Sequence, residues 1–267
     1  MTPVALTIAG SDPSGGAGLQ ADLKTFHQLG VYGTSVVTLL TVQNTRSVDA
    51  VEVLDPAFAV AQLEAVLSDI PPQAAKTGAL GSAAMIEALA DRAASFAFPL
   101  VVDPVMISKH GAPLIDAEAV AVLRDRLLPH ATVVTPNLHE AAALTGMEVT
   151  DPDSMERAAK AIAQLGPKHV VIKGGRLEPE ALDVLWSGGG AVWLRAARVE
   201  SQNTHGSGCV FSAAIAAGLA RGLEVEAAVR AAKEFVTAAI RTAPGLGAGV
   251  GPTNLHAAGP LGSKPQT

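Results

Sequence analysis

Short, continuously apolar runs alternate along this chain with stretches whose apolar residues recur at helical spacing. The runs fall at residues 4–9, 34–40, 100–103, 132–135 and 169–173. None alternates apolar with polar positions, so each is predicted as a strand covered on both faces, the pattern of a parallel sheet. Helices are predicted at 17–29, 56–68, 82–94, 117–127 and 153–165, two of them closed by Gly30 and Gly166. This alternation predicts an α/β fold, a three-layer sandwich around a central, mostly parallel sheet. Residues 182–186 and 191–194 flank Gly188-Gly189-Gly190, which predicts a late β-hairpin added to that sheet. Two long helices, from Cys209 and from Val225, follow. No linker composition and no internal repeat interrupt the chain, so residues 1–258 read as one domain and 259–267, rich in Gly and Pro, as a disordered tail.

Composition narrows the function more than the fold. The 267 residues are 49% apolar and 16% charged, enough for a sizeable core. A net charge of -6 leaves no basic footprint for nucleic acid or an anionic membrane, and no apolar run reaches bilayer length. One cysteine permits no internal disulfide, and the first residues enter a strand with no basic-then-apolar leader. The expectation is a soluble cytoplasmic protein. A small polyanionic substrate would have to be met by locally placed positive charge.

Ligands of open α/β sheets bind beyond the carboxyl ends of the strands, and polar clusters occupy those ends here. They are the segment from Gly10 to Gly18, Gln43-Asn44-Thr45, Asp103-Pro104, Pro136-Asn137-Leu138-His139-Glu140 and Lys173-Gly174-Gly175. A sixth cluster, Asn203-Thr204-His205-Gly206-Ser207-Gly208-Cys209, runs straight into an apolar helical stretch. Its alternate glycines let backbone N–H groups converge, and the helix behind adds the positive end of its dipole, so the turn reads as an anion site. A thiol at such a helix start is expected to shift toward thiolate. Phosphoryl transfer, with a proton acceptor beside the phosphate, is the reaction class this suggests. A lone cysteine elsewhere on a helix would read as inert packing; the flanking Gly-Ser-Gly turns the reading toward chemistry.

Gly16-Ala17-Gly18 with Ala21 satisfies the loose G-x-G-x-x-G/A pattern of dinucleotide sites. Against it, Asp12-Pro13-Ser14 lengthen the turn beyond what that fingerprint tolerates, and Gln43 ends the next strand where a ribose-binding acid would stand. No G-K-[ST] segment is present for a P-loop.

Taken in order, Ala9-Gly10-Ser11-Asp12-Pro13-Ser14-Gly15-Gly16-Ala17-Gly18-Leu19-Gln20-Ala21-Asp22, Gln43-Asn44-Thr45, Asp103-Pro104-Val105-Met106, Thr135-Pro136-Asn137 with Glu140, and the Gly-Ser-Gly-Cys turn resemble the bacterial hydroxymethylpyrimidine and phosphomethylpyrimidine kinases of thiamine biosynthesis, within the ribokinase-like superfamily. The resemblance runs from about residue 4 to 252. It implies ATP and Mg²⁺, a homodimer, and phosphorylation of the hydroxymethyl aminopyrimidine to its monophosphate and then its diphosphate. Cys209 would be the base, and the backbone N–H groups of Gly206, Ser207, Gly208 and Cys209 the anion hole. On the ATP side the resemblance implies Lys173, Thr204, Asn137 and Glu140, with Glu140 and, through water, Asp103 serving the metal. On the substrate side it implies Gly10, Asp22, Gln43 and Ala79, the Gln43 amide offering both a donor and an acceptor to an aminopyrimidine.

Plainer readings stand beside these. Glu140 is also a favourable dipole partner at a helix start, Lys173 a strand-end lysine on a solvated edge, Asp22 an exposed helix carboxylate, and Asp103 a cap of its Asp-Pro turn. His205 stiffens its turn or meets phosphate, and His139 points elsewhere. His27, His110, His130 and His169 lack metal-ligand spacing, and Trp186 and Trp193 read as core or dimer contacts. The family has Thr where this chain has Ser207, and Lys-Ile-Gly-Met-Leu where it has Lys76-Thr77-Gly78-Ala79-Leu80. Ala79 therefore widens the pocket, and a pyridoxine or pyridoxal kinase is the alternative activity. A non-catalytic pyrimidine-binding protein is the alternative of another class.

Overall fold

The computed structural model describes residues 2–108, 111, 113–175, 177 and 180–259. His110 and residues 260–267 of the expected tail lie outside them. Among the described residues, nine strands form one sheet in the order β3-β2-β1-β4-β5-β6-β7-β8-β9. The strands are β1 (Val4–Ser11), β2 (Tyr32–Gln43), β3 (Val48–Val53), β4 (Ala74–Thr77), β5 (Leu100–Val102), β6 (Val133–Val134), β7 (His169–Gly174), β8 (Ala181–Ser187) and β9 (Ala191–Ala196). From β2 to β7 neighbours run parallel, while β3 at one edge and β8–β9 at the other pair antiparallel. The late hairpin is thus present, and the sheet is mostly parallel as expected.

Helices α1 (Gly18–Gln28), α7 (Ser207–Ala220) and α8 (Val225–Arg241) cover one face. Helices α2 (Pro56–Asp69), α3 (Ala83–Ala93), α4 (Ala117–Val122), α5 (Leu138–Thr145) and α6 (Pro152–Ala163) cover the other. Local sequence explains their starts. Asp151 caps α6 by accepting from the Ser154 backbone, with Pro152 in the first turn, and Asn137 with Glu140 forms a reciprocal capping box on α5. Helix α7 is apolar all round and buried almost throughout, as a helix enclosed by a sheet and two neighbours must be. Its Gly218 lets α8 approach closely, since a Cβ there would stand 2.9 Å from that of Ala228.

The structure departs from the sequence reading in four elements. β3 and β4 were not predicted: β3 is an exposed ribbon with charged residues between its valines, and β4 is four residues long with a lysine inside. β2 is covered on both faces only in part, since Leu40 and Val42 are 46% and 60% exposed. The predicted helix at 117–127 leaves α-geometry at Leu123, continuing as a π-turn over Leu123–Leu127. Trp186 and Trp193 pack on the core as expected.

Gly206 is the N-cap of α7 with φ of 76°, and a Cβ there would collide with the Gly16 carbonyl. Gly222 shares the left-handed conformation at φ of 84° but has open space around it. Gly222→Ala is expected to cost ~1 kcal/mol from backbone strain alone. Gly206→Ala should cost clearly more, read as a larger drop in the urea midpoint at unchanged m-value. Equal losses would mean that the approach of the first loop to α7 is not a constraint.

Candidate active site

Side chains alternate between the faces of a strand, and this parity builds the site. Ala5, Ala74, Val101, Val133 and Val171 all pack into the core beneath α1, α7 and α8. Two residues further along each strand, on the same face, come Thr7, Lys76, Asp103, Thr135 and Lys173. They form a polar row at the carboxyl ends of the strands, under the first turn of α7.

The charges in this row alternate. Asp22 of α1 pairs with Lys76, Asp103 with Lys173, and Asp183 of β8 with Lys233 of α8, at 2.8, 2.9 and 2.6 Å. Thr7 Oγ1 also donates to Asp22 at 2.6 Å, Thr135 Oγ1 to Asp103 at 3.1 Å, and Ser212 Oγ to Asp103 at 3.3 Å. Burial opposes each charge, and neighbours oppose burial. For Lys76 the carboxylate of Asp22 prevails and the ammonium is held above its usual range. Burial pushes Asp103 up, but Lys173 and Lys76 outweigh it and its carboxyl lies below the usual range. Lys173, in turn, is raised by Asp103 and Glu140 against burial.

The first loop meets this row through Asp12. Its carboxylate accepts from Ala17 N, Ser14 N and Ser14 Oγ at 2.8–2.9 Å, and lies 2.8 Å from Nε2 of the buried His205. Burial would raise its pKa, but the bonds from His205 and Ser14 lower it to about 2. A carboxylate so acidic only accepts, so His205 Nε2 carries the proton between them. The same nitrogen is 3.1 Å from the Gln43 amide nitrogen; with the proton on His205 Nε2 both are donors, so Gln43 lies beside His205 without a hydrogen bond to it. His205 therefore ties the first loop to the start of α7, and it also lines the cleft.

A cleft of about 1260 Å³ opens over the row, larger than one small ligand needs and sufficient for a nucleotide beside a second molecule. One end is lined by Gly10, Leu39, Thr41, Gln43 and Ala79. Thr204, Gly206, Ser207, Gly208 and Cys209 form the middle, with Asp103 and Lys173 beneath. Asn137, Glu140, Phe211, Lys233 and Val236 line the far end. Every predicted site residue except Asp22 thus reaches one cleft. His139, expected to point away, stands on its rim.

Four expectations need correction. Asp22 is neither pocket lining nor an exposed carboxylate; it is fully buried against Thr7 and Lys76, because α1 presents it to the sheet. The anion hole lacks one donor, since Ser207 N–H donates to Thr204 O at 3.2 Å; Gly206, Gly208 and Cys209 keep N–H groups with no acceptor among the described residues. Cys209 is not shifted toward thiolate. Burial pushes the thiol up to about 11, Lys76 opposing while Asp22 and Asp103 add to the rise. Lys173 is a half-buried partner of Asp103 rather than a solvated edge lysine. Glu140 accepts Asn137 N–H at 2.7 Å, and burial lifts it to about 7 against the pull of Lys173.

Sequence reasoning missed Lys76, Asp183 and Lys233 as members of the row. The available signals were a lysine inside the apolar run Ala74-Ala75-Lys76-Thr77 and another on the apolar stripe of α8.

Residues 12–254 match the family model described as phosphomethylpyrimidine kinase. The chain is 50% identical to a hydroxymethylpyrimidine/phosphomethylpyrimidine kinase of Synechococcus elongatus, over 94% of this chain and 96% of that one. It is 49% identical to a thiamine biosynthesis bifunctional protein of Geobacter sulfurreducens, over 93% of this chain and 51% of that one. The fold is similar to that of a Bacillus subtilis pyridoxal kinase in its ADP complex, with a TM-score of 0.90, 44% identity, and coverage of 96% and 98% of the two chains.

Cys209 is the sole cysteine, so alkylation by iodoacetamide reports its ionisation alone. Below its pKa the thiolate fraction grows about tenfold per pH unit. The alkylation rate is expected to climb at that slope from pH 7 through 10 without a plateau, consistent with a pKa of about 11. A plateau at or below pH 8 would mean that the helix terminus, not burial, governs the thiol.

Proposed function

The chain belongs to the phosphomethylpyrimidine kinase family, and on that premise we propose that it transfers the γ-phosphoryl group of ATP to the hydroxymethyl aminopyrimidine and then to its monophosphate, for thiamine biosynthesis. The observation that carries this reading is the convergence of the unpaired N–H groups at the start of α7, the Lys173–Asp103 pair and Cys209 on the wall of one cleft.

The pyrimidine belongs at the end of the cleft that holds Gln43 and Ala79, with its hydroxyl toward Cys209. The γ-phosphate lies on the N–H groups of Gly206, Gly208 and Cys209, beside Lys173. As the hydroxyl oxygen bonds to phosphorus, the bond from phosphorus to the β–γ bridging oxygen breaks, ADP leaves, and the hydroxyl proton passes to Cys209 in its thiolate form, whose own proton has already gone to solvent. A thiol with pKa about 11 is only ~10⁻⁴ ionised at neutral pH. In a loose phosphoryl-transfer transition state the nucleophile bonds weakly and loses its proton late, when the new P–O bond has made it acidic. Each well-placed anion-hole donor contributes about 10²–10³-fold and the base about 10²–10⁴-fold.

No group of three or more His, Cys, Asp or Glu among the described residues forms a metal cage. The donor set nevertheless fits Mg²⁺, which takes few carboxylates and completes its shell with phosphate oxygens and water. Glu140 would hold it. Its carboxyl, lifted to about 7, is short of compensating positive charge, whereas both oxygens of Asp103 are engaged by Lys173, Thr135 and Ser212. Bound Mg²⁺ would neutralise charge on the β- and γ-phosphates.

We propose that residues 1–258 form one catalytic domain, in a homodimer that covers the exposed Leu40 and Val42. The free cysteine fits a reducing cytoplasm. A second reading, pyridoxal phosphorylation, draws on the likeness to a pyridoxal kinase and on the room left by Ala79.

Incubation with ATP, Mg²⁺ and each alcohol in parallel, with products resolved by mass spectrometry, is expected to give pyrimidine mono- and diphosphates at the higher kcat/KM. Pyridoxine phosphate alone would establish the second reading, and no product from either alcohol would favour a binding protein. The monophosphate acceptor is already anionic at neutral pH, so it needs a base less. Cys209→Ala should therefore cut the first phosphorylation by about 10²–10⁴-fold and the second by much less, with nucleotide affinity kept; Cys209→Asp should retain more of the first step than Ala. Wild-type turnover of the alcohol in Cys209→Ala would remove the base assignment.

A further inference from the structure

The Asp22–Lys76 pair has no place in the mechanism above. Both side chains are 0% exposed, and neither lines the cleft. A buried ion pair contributes little to stability compared with apolar residues of the same volume, so its presence calls for another explanation. The pair is also incompletely satisfied: Asp22 Oδ2 takes both Lys76 Nζ and Thr7 Oγ1, while Asp22 Oδ1 has no hydrogen-bond partner. In a fully buried carboxylate such an oxygen is a strained, costly arrangement.

Its location supplies the explanation. Lys76 rises from β4 on the face beneath α7, two residues after Ala74. Asp22 descends from α1, which packs against α7, and α7 packs on β4. Gly18, one turn before Asp22 on the same face of α1, gives its backbone N–H to the Cys209 thiol, so the first turn of α7 lies beside the helix face that carries Asp22. We infer that the Asp22–Lys76 pair is a positioning device for Cys209: Lys76 supplies the cation that stabilises the thiolate, and Asp22 restrains that cation, so that together they set how readily Cys209 gives up its own proton and becomes able to accept another.

The electrostatics agree in sign. Lys76 is the strongest influence drawing the thiol pKa down, with Asp22 and Asp103 opposing it, and Lys76 in turn feels Cys209. The charged groups facing the thiol are Asp22 from α1, Lys76 from β4, Asp103 after β5 and Lys173 from β7, with the Gly18 backbone N–H bonded to it. Asp103 and Lys173 are bound to each other, so the Asp22–Lys76 pair is where one substitution most changes the field. Asp103 also lies close enough to Lys76 to help keep it charged when Asp22 is neutral.

The test is the pH dependence of iodoacetamide alkylation at Cys209, in the full chain, for wild type, Asp22→Asn and Asp22→Asn/Lys76→Met. Asp22→Asn is expected to bring the thiol titration down by roughly one unit or more, the scale on which a nearby opposite charge acts. The double variant removes both charges, leaves no unpaired ion and so folds even where Asp22→Asn does not; it should titrate above the wild type, because the stronger, lowering influence is lost with the weaker one. Titrations coincident with wild type in the folded variants would overturn the inference, whatever happens to thermal stability.

The catalytic consequence rests on the reading of Cys209 as proton acceptor, and kcat/KM for the pyrimidine alcohol separates the two. A rising limb that moves to lower pH together with the thiol supports both. A shifted thiol with an unmoved limb upholds the electrostatic device and removes Cys209 as the base.

Discussion

Six charged side chains, five buried and Lys173 half-buried, cannot be packed beneath one helix unless each is answered by a neighbour, and here they are answered in strict alternation. Asp22, Lys76, Asp103, Lys173, Asp183 and Lys233 run from α1 across the carboxyl ends of the strands to α8, with each lysine between or beside carboxylates. Removing one partner from such a pair leaves an uncompensated charge and costs several kcal/mol, although the intact pair adds little. The row therefore specifies geometry more than it stabilises. It fixes which strands lie side by side, which face of each turns toward α7, and where that helix begins.

Helix α7 completes the constraint from above. Its apolar body can be buried without cost in polar groups, but its first turn presents N–H groups that the helix itself cannot satisfy. Gly206, in a left-handed conformation pressed against the Gly16 carbonyl, brings those groups down to the charged row, and the Asp12–His205 bond locks the loop beside them. An anion placed there meets backbone donors from above and Lys173 from below. The same enclosure keeps Cys209 a neutral thiol at rest, so only its minority thiolate form is able to take up a proton.

Much of this was legible in the residues. Continuous apolar runs announced a sheet covered on both faces, and the polar residue ending each run marked the cleft before any contact was known: Gln43, Asp103 and Lys173 all reach it. The Gly-Ser-Gly-Cys turn marked the start of α7, where the N–H groups of Gly206, Gly208 and Cys209 have no acceptor among the described residues. What stayed hidden depends on partners far apart in the chain. Lys76 and Asp22 are 54 residues apart, Lys233 and Asp183 are 50 apart, and only the folded sheet reveals that they pair. The direction of the Cys209 shift was misread because the helix terminus is visible in sequence while burial is not. β4 escaped because four residues with a lysine among them carry too little pattern, although that lysine is part of the charged row.

The most direct test of the account is a crystal structure of the protein with a non-hydrolysable ATP analogue, Mg²⁺ and the hydroxymethyl aminopyrimidine together. The account predicts the γ-phosphate on the N–H groups of Gly208 and Cys209 with Lys173 beside it, and the substrate hydroxyl between that phosphate and the Cys209 sulfur. A γ-phosphate seated away from the start of α7, or a hydroxyl pointing away from Cys209, would contradict it.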